Sequence, residues 1–261
     1  MKRSILCILA FSLFSLCGCA DRAKQAYERG VSASQSGDFD AAIAEFTEVI
    51  RLDPKHADAY NGLGHARLHK GEFDEAIANY TKAIELDPKN ADAYINRGIA
   101  YRHKGDRDKA LADYNEAIRL NPNFDKPYYN RGNAYRHKGD FDKAIADYTE
   151  TLRLNPKYAK AYSNRGGAYR HKGDFDKALA DYSEAIRLDP KLAVAYCGRG
   201  NAYQEKAEYA KAIADYGEAI RLNPKLARAY YHRGTAYDKT GEKAKAEEDF
   251  AQAKKLGYKP K

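Results

Sequence analysis

Residues Ala159 to Leu192 read A-K-A-Y-S-N-R-G-G-A-Y-R-H-K-G-D-F-D-K-A-L-A-D-Y-S-E-A-I-R-L-D-P-K-L, and their reading decides the fold. Tyr162, Arg165, Gly166 and Tyr169 lie three or four residues apart, so they share one face of a first helix. Gly173 suits the left-handed position that ends a helix, with His171 and Lys172 in its last turn. Asp174 is placed to cap a second helix, whose inner stripe is Phe175, Ala178, Leu179, Tyr182, Ala185 and Ile186. Pro190 then stops that helix and begins a link.

Outward from this block the pattern recurs every 34 residues, seven times: 23–56, 57–90, 91–124, 125–158, 159–192, 193–226 and 227–260. With positions numbered 1 to 34, position 8 is Gly throughout, from Gly30 to Gly234. Position 20 is Ala throughout, from Ala42 to Ala246, and position 24 is Tyr or Phe, from Phe46 to Phe250. Such a period marks a solenoid whose units pack on their neighbours, so the expected class is all-α. Seven like units leave no room for a separate catalytic domain. A mid-helix Gly costs about 1 kcal/mol against Ala. Its recurrence implies a neighbouring helix too close for a side chain, with the invariant Ala as its expected partner.

Tyr94, Gly98, Tyr101, Ala110, Tyr114, Ala117 and Pro122 resemble the signature of the tetratricopeptide repeat family, and later blocks repeat the match. The resemblance covers residues 23–260. It implies a right-handed superhelix with a concave groove, lined by the first helix of each repeat, that binds peptides or protein partners. Position 7 departs from the usual Leu: it is Arg29, Arg97, Arg131, Arg165, Arg199 and Arg233 in six blocks. The same six carry an acid at position 23, namely Glu45, Asp113, Asp147, Asp181, Asp215 and Asp249. The one block with Leu63 at position 7 has neutral Asn79 at position 23. Pairing within the block accounts for all seven, so an Arg–carboxylate bridge is expected between the two helices of six repeats. Arginines so engaged have few donors left for an anion.

In the resembling family, positions 2, 5, 6, 9, 12 and 13 face the groove. Here they supply Asn96, Asn130 and Asn164 at position 6, Asn133 and Asn201 at position 9, and Arg102, Arg136 and Arg170 at position 12. Tyr129 and Lys160 complete the candidate surface, which is expected to be exposed and to matter little for folding. Amides that donate and accept suit the backbone of an extended peptide. The R-H-K-G run has two readings, as cations on a helix C-terminus or as an anion site. His69, His103, His137 and His171 at position 13 could also be read as a metal or heme ladder. One His per block, on helices packed 8–10 Å apart, does not bring ligands within about 2 Å of one metal. No cofactor or metal is expected. The tyrosines at positions 4, 11 and 24 read as core, so nucleic acid is not expected as a partner.

Residues 1–18 form a different kind of sequence. Lys2 and Arg3 precede an apolar run from Ile5 to Leu16, too short to span a bilayer but suited to a signal-peptide core. Leu16-Cys17-Gly18-Cys19 resembles the bacterial lipobox, in which the Cys is diacylated on sulfur and becomes the new amino terminus. Residues 19–22 would then be the lipidated Cys19 and a short tether. Cleavage after Ala20, giving a soluble secreted or periplasmic adaptor, is the alternative. By family analogy, Ala20 in place of Asp after the Cys points to the outer membrane of a Gram-negative envelope. Removal of Cys7 and Cys17 and acylation of Cys19 leave Cys197 alone, so an internal disulfide is excluded in the mature chain. The formal charge of +8 falls to +6 without Lys2 and Arg3, which favours acidic partners. The chain contains no H-E-x-x-H, G-x-S-x-G, phosphate-binding glycine loop or Cys-x-x-Cys, so an enzyme is not expected.

Overall fold

The computed structural model describes residues 20–259. The predicted signal sequence, Cys19 and Pro260 lie outside them. Among the described residues the chain forms fourteen α-helices and no strand, two helices to each block. It divides into two compact units, up to Pro127 and from Tyr128 onwards. The first unit contains α1 (residues 20–36), α2 (Phe39–Leu52), α3 (Ala57–Lys70), α4 (Phe73–Leu86), α5 (Ala91–Lys104) and α6 (Arg107–Leu120). The second contains all but the first turn of α7 (Asp125–Lys138), then α8 (Phe141–Leu154), α9 (Ala159–His171) and α10 (Phe175–Leu188). It ends with α11 (Ala193–Glu205), α12 (Tyr209–Leu222), α13 (Ala227–Lys239) and α14 (Lys243–Lys255). None of these helices is long and apolar enough to cross a membrane.

The boundaries follow from the side chains named above. Asp38, Asp106, Asp140 and Asp174 each accept a hydrogen bond from the backbone N–H three residues on, capping a second helix. Gly173 ends α9 in the left-handed region at φ +81°. Ala207 occupies the equivalent place after α11 at φ 58°, the sole non-glycine residue in that region among those described. Between blocks, the residue before each proline makes an Asx turn, as where Asp189 Oδ1 accepts from the Lys191 N–H at 3.0 Å.

Within each unit, successive helices pack antiparallel and the core is a run of alanines and aromatics. Ala42, Ala76, Ala110, Ala144, Ala178 and Ala212 are fully buried, beside the buried rings Phe46, Tyr80, Tyr114, Tyr148, Tyr182 and Tyr216. The position-8 glycines do face a close neighbour, but in most blocks it is this ring and not the alanine. A Cβ on Gly98 would lie 2.6 Å from the Tyr114 ring, and one on Gly64 2.7 Å from Tyr80. At Gly166 and Gly234 the backbone carbonyl of the position-20 alanine is also among the nearest atoms, Ala178 at 3.2 Å and Ala246 at 3.1 Å. The expected alanine partner is therefore corrected to the position-24 aromatic, which fills the gap between the two helices of its block.

All six expected Arg–carboxylate bridges form. Arg97, Arg131, Arg165, Arg199 and Arg233 each fork onto the aspartate sixteen residues on through Nε and Nη2, at 2.7–3.0 Å. Arg29 does the same with Glu45. Leu63 is buried in its block, and Asn79 turns back to the Glu75 carbonyl. The remaining arginine nitrogen ties repeats together: Nη1 of Arg97, Arg165 and Arg199 donates to Thr81, Thr149 and Ser183 of the preceding block.

A candidate partner-binding site in the second unit

First helices of adjacent repeats touch directly, α9 against α11 and α11 against α13 in the second unit, α3 against α5 in the first. They form one face of each stack, where the expected groove residues sit. In the second unit a cavity of about 340 Å³ opens on this face, lined by Arg136, Asn164, Arg170, Cys197, Asn201 and Arg228, among others. Four of the ten groove residues picked from the sequence are thus brought together. Asn96 instead lines a smaller cavity of about 200 Å³ in the first unit, with Tyr27, Asn61 and His65.

The amides are less free than the sequence suggests. Asn133 is 9% exposed, and its Oδ1 accepts from the Tyr148 hydroxyl at 2.8 Å and from Asn164 Nδ2 at 2.8 Å. Asn164 Nδ2 also donates to the Tyr129 hydroxyl at 3.1 Å. Asn201 Oδ1 accepts from the Tyr216 hydroxyl at 2.8 Å, and Asn96 Nδ2 donates to Asn61. Asn130 is half-buried on α7. The expectation of an exposed surface indifferent to folding is corrected: first helices pack closely enough for side chains at positions 6 and 9 to meet across the repeat boundary. What they present to a ligand is the carbonyl oxygen of Asn164 and the amide nitrogen of Asn201. Lys160 is exposed and does not line the cavity.

The arginines differ in kind. Arg136 lies beside the Tyr148 hydroxyl, and its Nε is buried without a hydrogen-bond partner. Arg170 lies beside the Tyr182 hydroxyl, with Glu205 as its nearest carboxylate at 3.9 Å. Arg228 sits next to the buried Cys197 thiol, whose pKa is raised by burial against the pull of that cation. Burial likewise raises the phenols of Tyr148, Tyr182 and Tyr216, and as neutral groups Tyr148 and Tyr216 donate to Asn133 and Asn201. His232, next to this surface on α13, is pushed down to about 4, by burial first and by Arg170 and Arg228 after it. In the first unit, Arg102 Nε is buried without a hydrogen-bond partner near Tyr114, whose phenol burial pushes up to about 12. Arg228 was missed as a site residue, although it stands at position 2, one of the groove-facing positions.

The histidine ladder has a packing role that neither sequence reading gave. His69, His103 and His171 stack on Phe39, Phe73 and Phe141 of the preceding block, with centroids 4.6–5.2 Å apart and planes within 9°. Among the described residues no cluster of three His, Cys, Asp or Glu side chains could hold a metal ion.

Family models described as TPR repeat or tetratricopeptide repeat match residues 33–78, 64–105, 91–124, 129–193, 205–241 and 227–256. The crystal structure of MamA protein is 30% identical, covering 67% of this chain and 95% of that one, with a TM-score of 0.57. The chain belongs to the tetratricopeptide repeat family. A tetratricopeptide repeat protein from Parabacteroides merdae is 26% identical over 91% of this chain and 94% of that one, with a TM-score of 0.72. YrrB, described as a TPR protein with an unusual peptide-binding site, is 26% identical over 70% and 95%, with a TM-score of 0.57. No curated relative matches the sequence. Tetratricopeptide repeats are protein-interaction scaffolds, and the family brings no catalytic machinery with it.

Proposed function

We propose that this tetratricopeptide repeat protein is a lipid-anchored scaffold of the bacterial cell envelope. It holds acidic peptide or protein partners against its first-helix face and assists assembly of an envelope complex. One observation carries the binding reading: a cavity on that face is lined by arginines and amides, with no carboxylate among its lining residues. Likeness to YrrB, described as having a peptide-binding site, supports the partner class. The anchor rests on Leu16-Cys17-Gly18-Cys19 after an apolar core, and the outer-membrane, periplasm-facing location on Ala20 following the Cys. The acidic preference rests on the formal charge, +8 for the full sequence and +6 once Lys2 and Arg3 are removed.

Two arms test the proposal. Cys19→Ala is expected to abolish fatty-acid labelling and either to release the protein from the membrane fraction or to leave an uncleaved precursor. Labelling unchanged in that variant would remove the anchor and favour the soluble adaptor. In the second arm, Arg136→Glu with Arg170→Glu is expected to abolish capture of partners from detergent-solubilised envelope while helicity is retained. Capture by the parent is expected to weaken as salt rises, because exposed charges are screened beyond about 10 Å at 0.1 M. The same partners captured by the variant, with unchanged salt dependence, would place binding elsewhere on the molecule.

A further inference from the structure

Positions 21, 24 and 28 of the second helix are apolar in the first six blocks, as in Ile43, Phe46 and Ile50. At two joints a glycine of the next first helix meets the position-24 ring, Gly62 on Phe46 and Gly198 on Tyr182. In α14, the last helix among the described residues, the same three positions are Glu247, Phe250 and Lys254. The six earlier position-24 rings are buried, whereas Phe250 is half-buried. It lines a cavity of about 470 Å³ with Tyr231, Ala253, Lys254, Gly257 and Tyr258, among others. Gly257, at φ +83°, turns the chain so that Tyr258 stacks on Tyr231 with centroids 4.5 Å apart. Earlier second helices end instead in an extended residue, as at Asp53.

The charges beside this ring are ordered. Glu247, Ala251 and Lys254 are exposed, and neither charge enters an ion pair among the described residues. Seven residues set the two about 10.5 Å apart along the helix, too far to pair with each other. When a second copy of α14 runs antiparallel about a two-fold axis near Phe250, the order reverses. Glu247 of each copy then faces Lys254 of its partner, twice over. The small side chain of Ala251 falls on the partner's Phe250, as Gly62 falls on Phe46. Such a contact is self-complementary and closes at two copies. The first helix of the chain offers no comparable fit. At positions 3, 6 and 10, α1 has Gln25, Glu28 and Ser32, where α11 has buried Ala195, Gly198 and Ala202. Head-to-tail stacking on α1 would set Glu28 against the Phe250 ring and would not close.

We propose that the α14 face is a self-association surface on which a second copy of this chain docks antiparallel about a two-fold axis. Phe250 and Ala251 form its apolar centre, and two reciprocal Glu247–Lys254 pairs form its rim. Ring burial supplies affinity, while the charge pairs select the partner and fix the register. The surface is separate from the first-helix face, so a dimer carries two copies of that face and gains avidity for a partner with two matching segments.

The test uses the full chain carrying either of two tags, co-expressed, extracted in detergent and purified on the first tag. Recovery of the second tag reports pairing, and sedimentation equilibrium in density-matched detergent gives the mass. The parent is expected to be a dimer. Glu247→Lys and Lys254→Glu, each present on both tagged chains, are expected to cut recovery of the second tag at least tenfold with far-UV circular dichroism unchanged. Glu247→Lys on one tagged chain and Lys254→Glu on the other restores both opposite-charge contacts, so recovery is expected to return to the parent level. Glu28→Lys, on α1, is expected to leave pairing unchanged. A monomeric parent, recovery indifferent to both single variants, or no restoration in the mixed pair would overturn the surface. Recovery lost in Cys19→Ala but indifferent to both charge changes would assign pairing to shared lipid and overturn it as well.

Discussion

Arg165 shows how one side chain serves two levels of structure. Its Nε and Nη2 close on Asp181 at 2.8 Å, joining the helices of its own block, while Nη1 reaches Thr149 of the block before. Asp181 is 6% exposed, and burial raises its carboxyl pKa against the pull of the arginine. Arg165→Leu is therefore expected to destabilise by about 3–5 kcal/mol, the usual cost of stranding one partner of a buried pair. Asp181→Asn added to it imitates the Leu63–Asn79 block and is expected to recover much of that loss. The coupling is read from urea unfolding of both single variants and the double; additive losses would exclude direct pairing. The single variant's deficit is expected to shrink towards acid pH, where a protonated Asp181 tolerates burial. Arg233 lacks the second tie, because Gly217 stands where Thr149 and Ser183 stand in other blocks, 3.8 Å from its Nη1 to the place of a Cβ. Gly217→Ser is expected to add about 0.5–1.5 kcal/mol through that hydrogen bond. Gly217→Ala, which gains about 1 kcal/mol of helix propensity alone, is the control for the better helix former.

At the scale of the element, each first helix needs a reversal that the chain usually makes with glycine. After α11, Ala207 makes it at φ 58°, a conformation that costs an L residue roughly 1–2 kcal/mol. Ala207→Gly is expected to raise stability by about 1 kcal/mol, seen as a higher urea midpoint at an unchanged slope. The same variant is expected to protect the α11–α12 amides further from hydrogen exchange. Lys206, just before it, pairs with Asp176 of the preceding block, as Lys70 does with Asp40. Both pairs are exposed, so they steer register between repeats more than they stabilise it. The histidine stacks on phenylalanine act at the same joint and bury apolar ring area there.

For the molecule as a whole, the pH dependence of stability follows from its depressed histidines. His232 titrates near 6.5 in the unfolded chain and about 4 in the folded one. The unfolded state therefore binds more protons between those values, so stability is full above about pH 6.5 and is lost as pH falls towards 4. The contribution of His232 is at most about 3 kcal/mol. His65, His103 and His171 are lowered as well, burial first in each, and act in the same direction. His232→Gln is expected to flatten the decline in Tm between pH 6.5 and 4. An equally steep decline in that variant would assign the effect to the other histidines. Glu45, held low by Arg29, adds a loss of stability below the ordinary carboxylate range.

The repeat, its two helices, its caps and its six internal bridges were legible in the sequence because each depends on spacing inside one 34-residue block. Local spacing fixes which side chains share a helix face, and the joint change from Arg and acid to Leu63 and Asn79 exposed the pairing. The candidate site was legible only as a set of positions. Asn133 and Asn164 were taken as free because nothing local reveals that first helices of successive repeats approach within hydrogen-bonding distance. Arg228 was passed over because its cavity neighbours, Arg136 and Arg170, lie 92 and 58 residues away along the chain. The sequence by itself determined the repeat and its internal chemistry. Only the tertiary structure decided which polar groups were used up between repeats and which three cations were left facing one cavity, because both depend on distances between helices that are not neighbours in the chain.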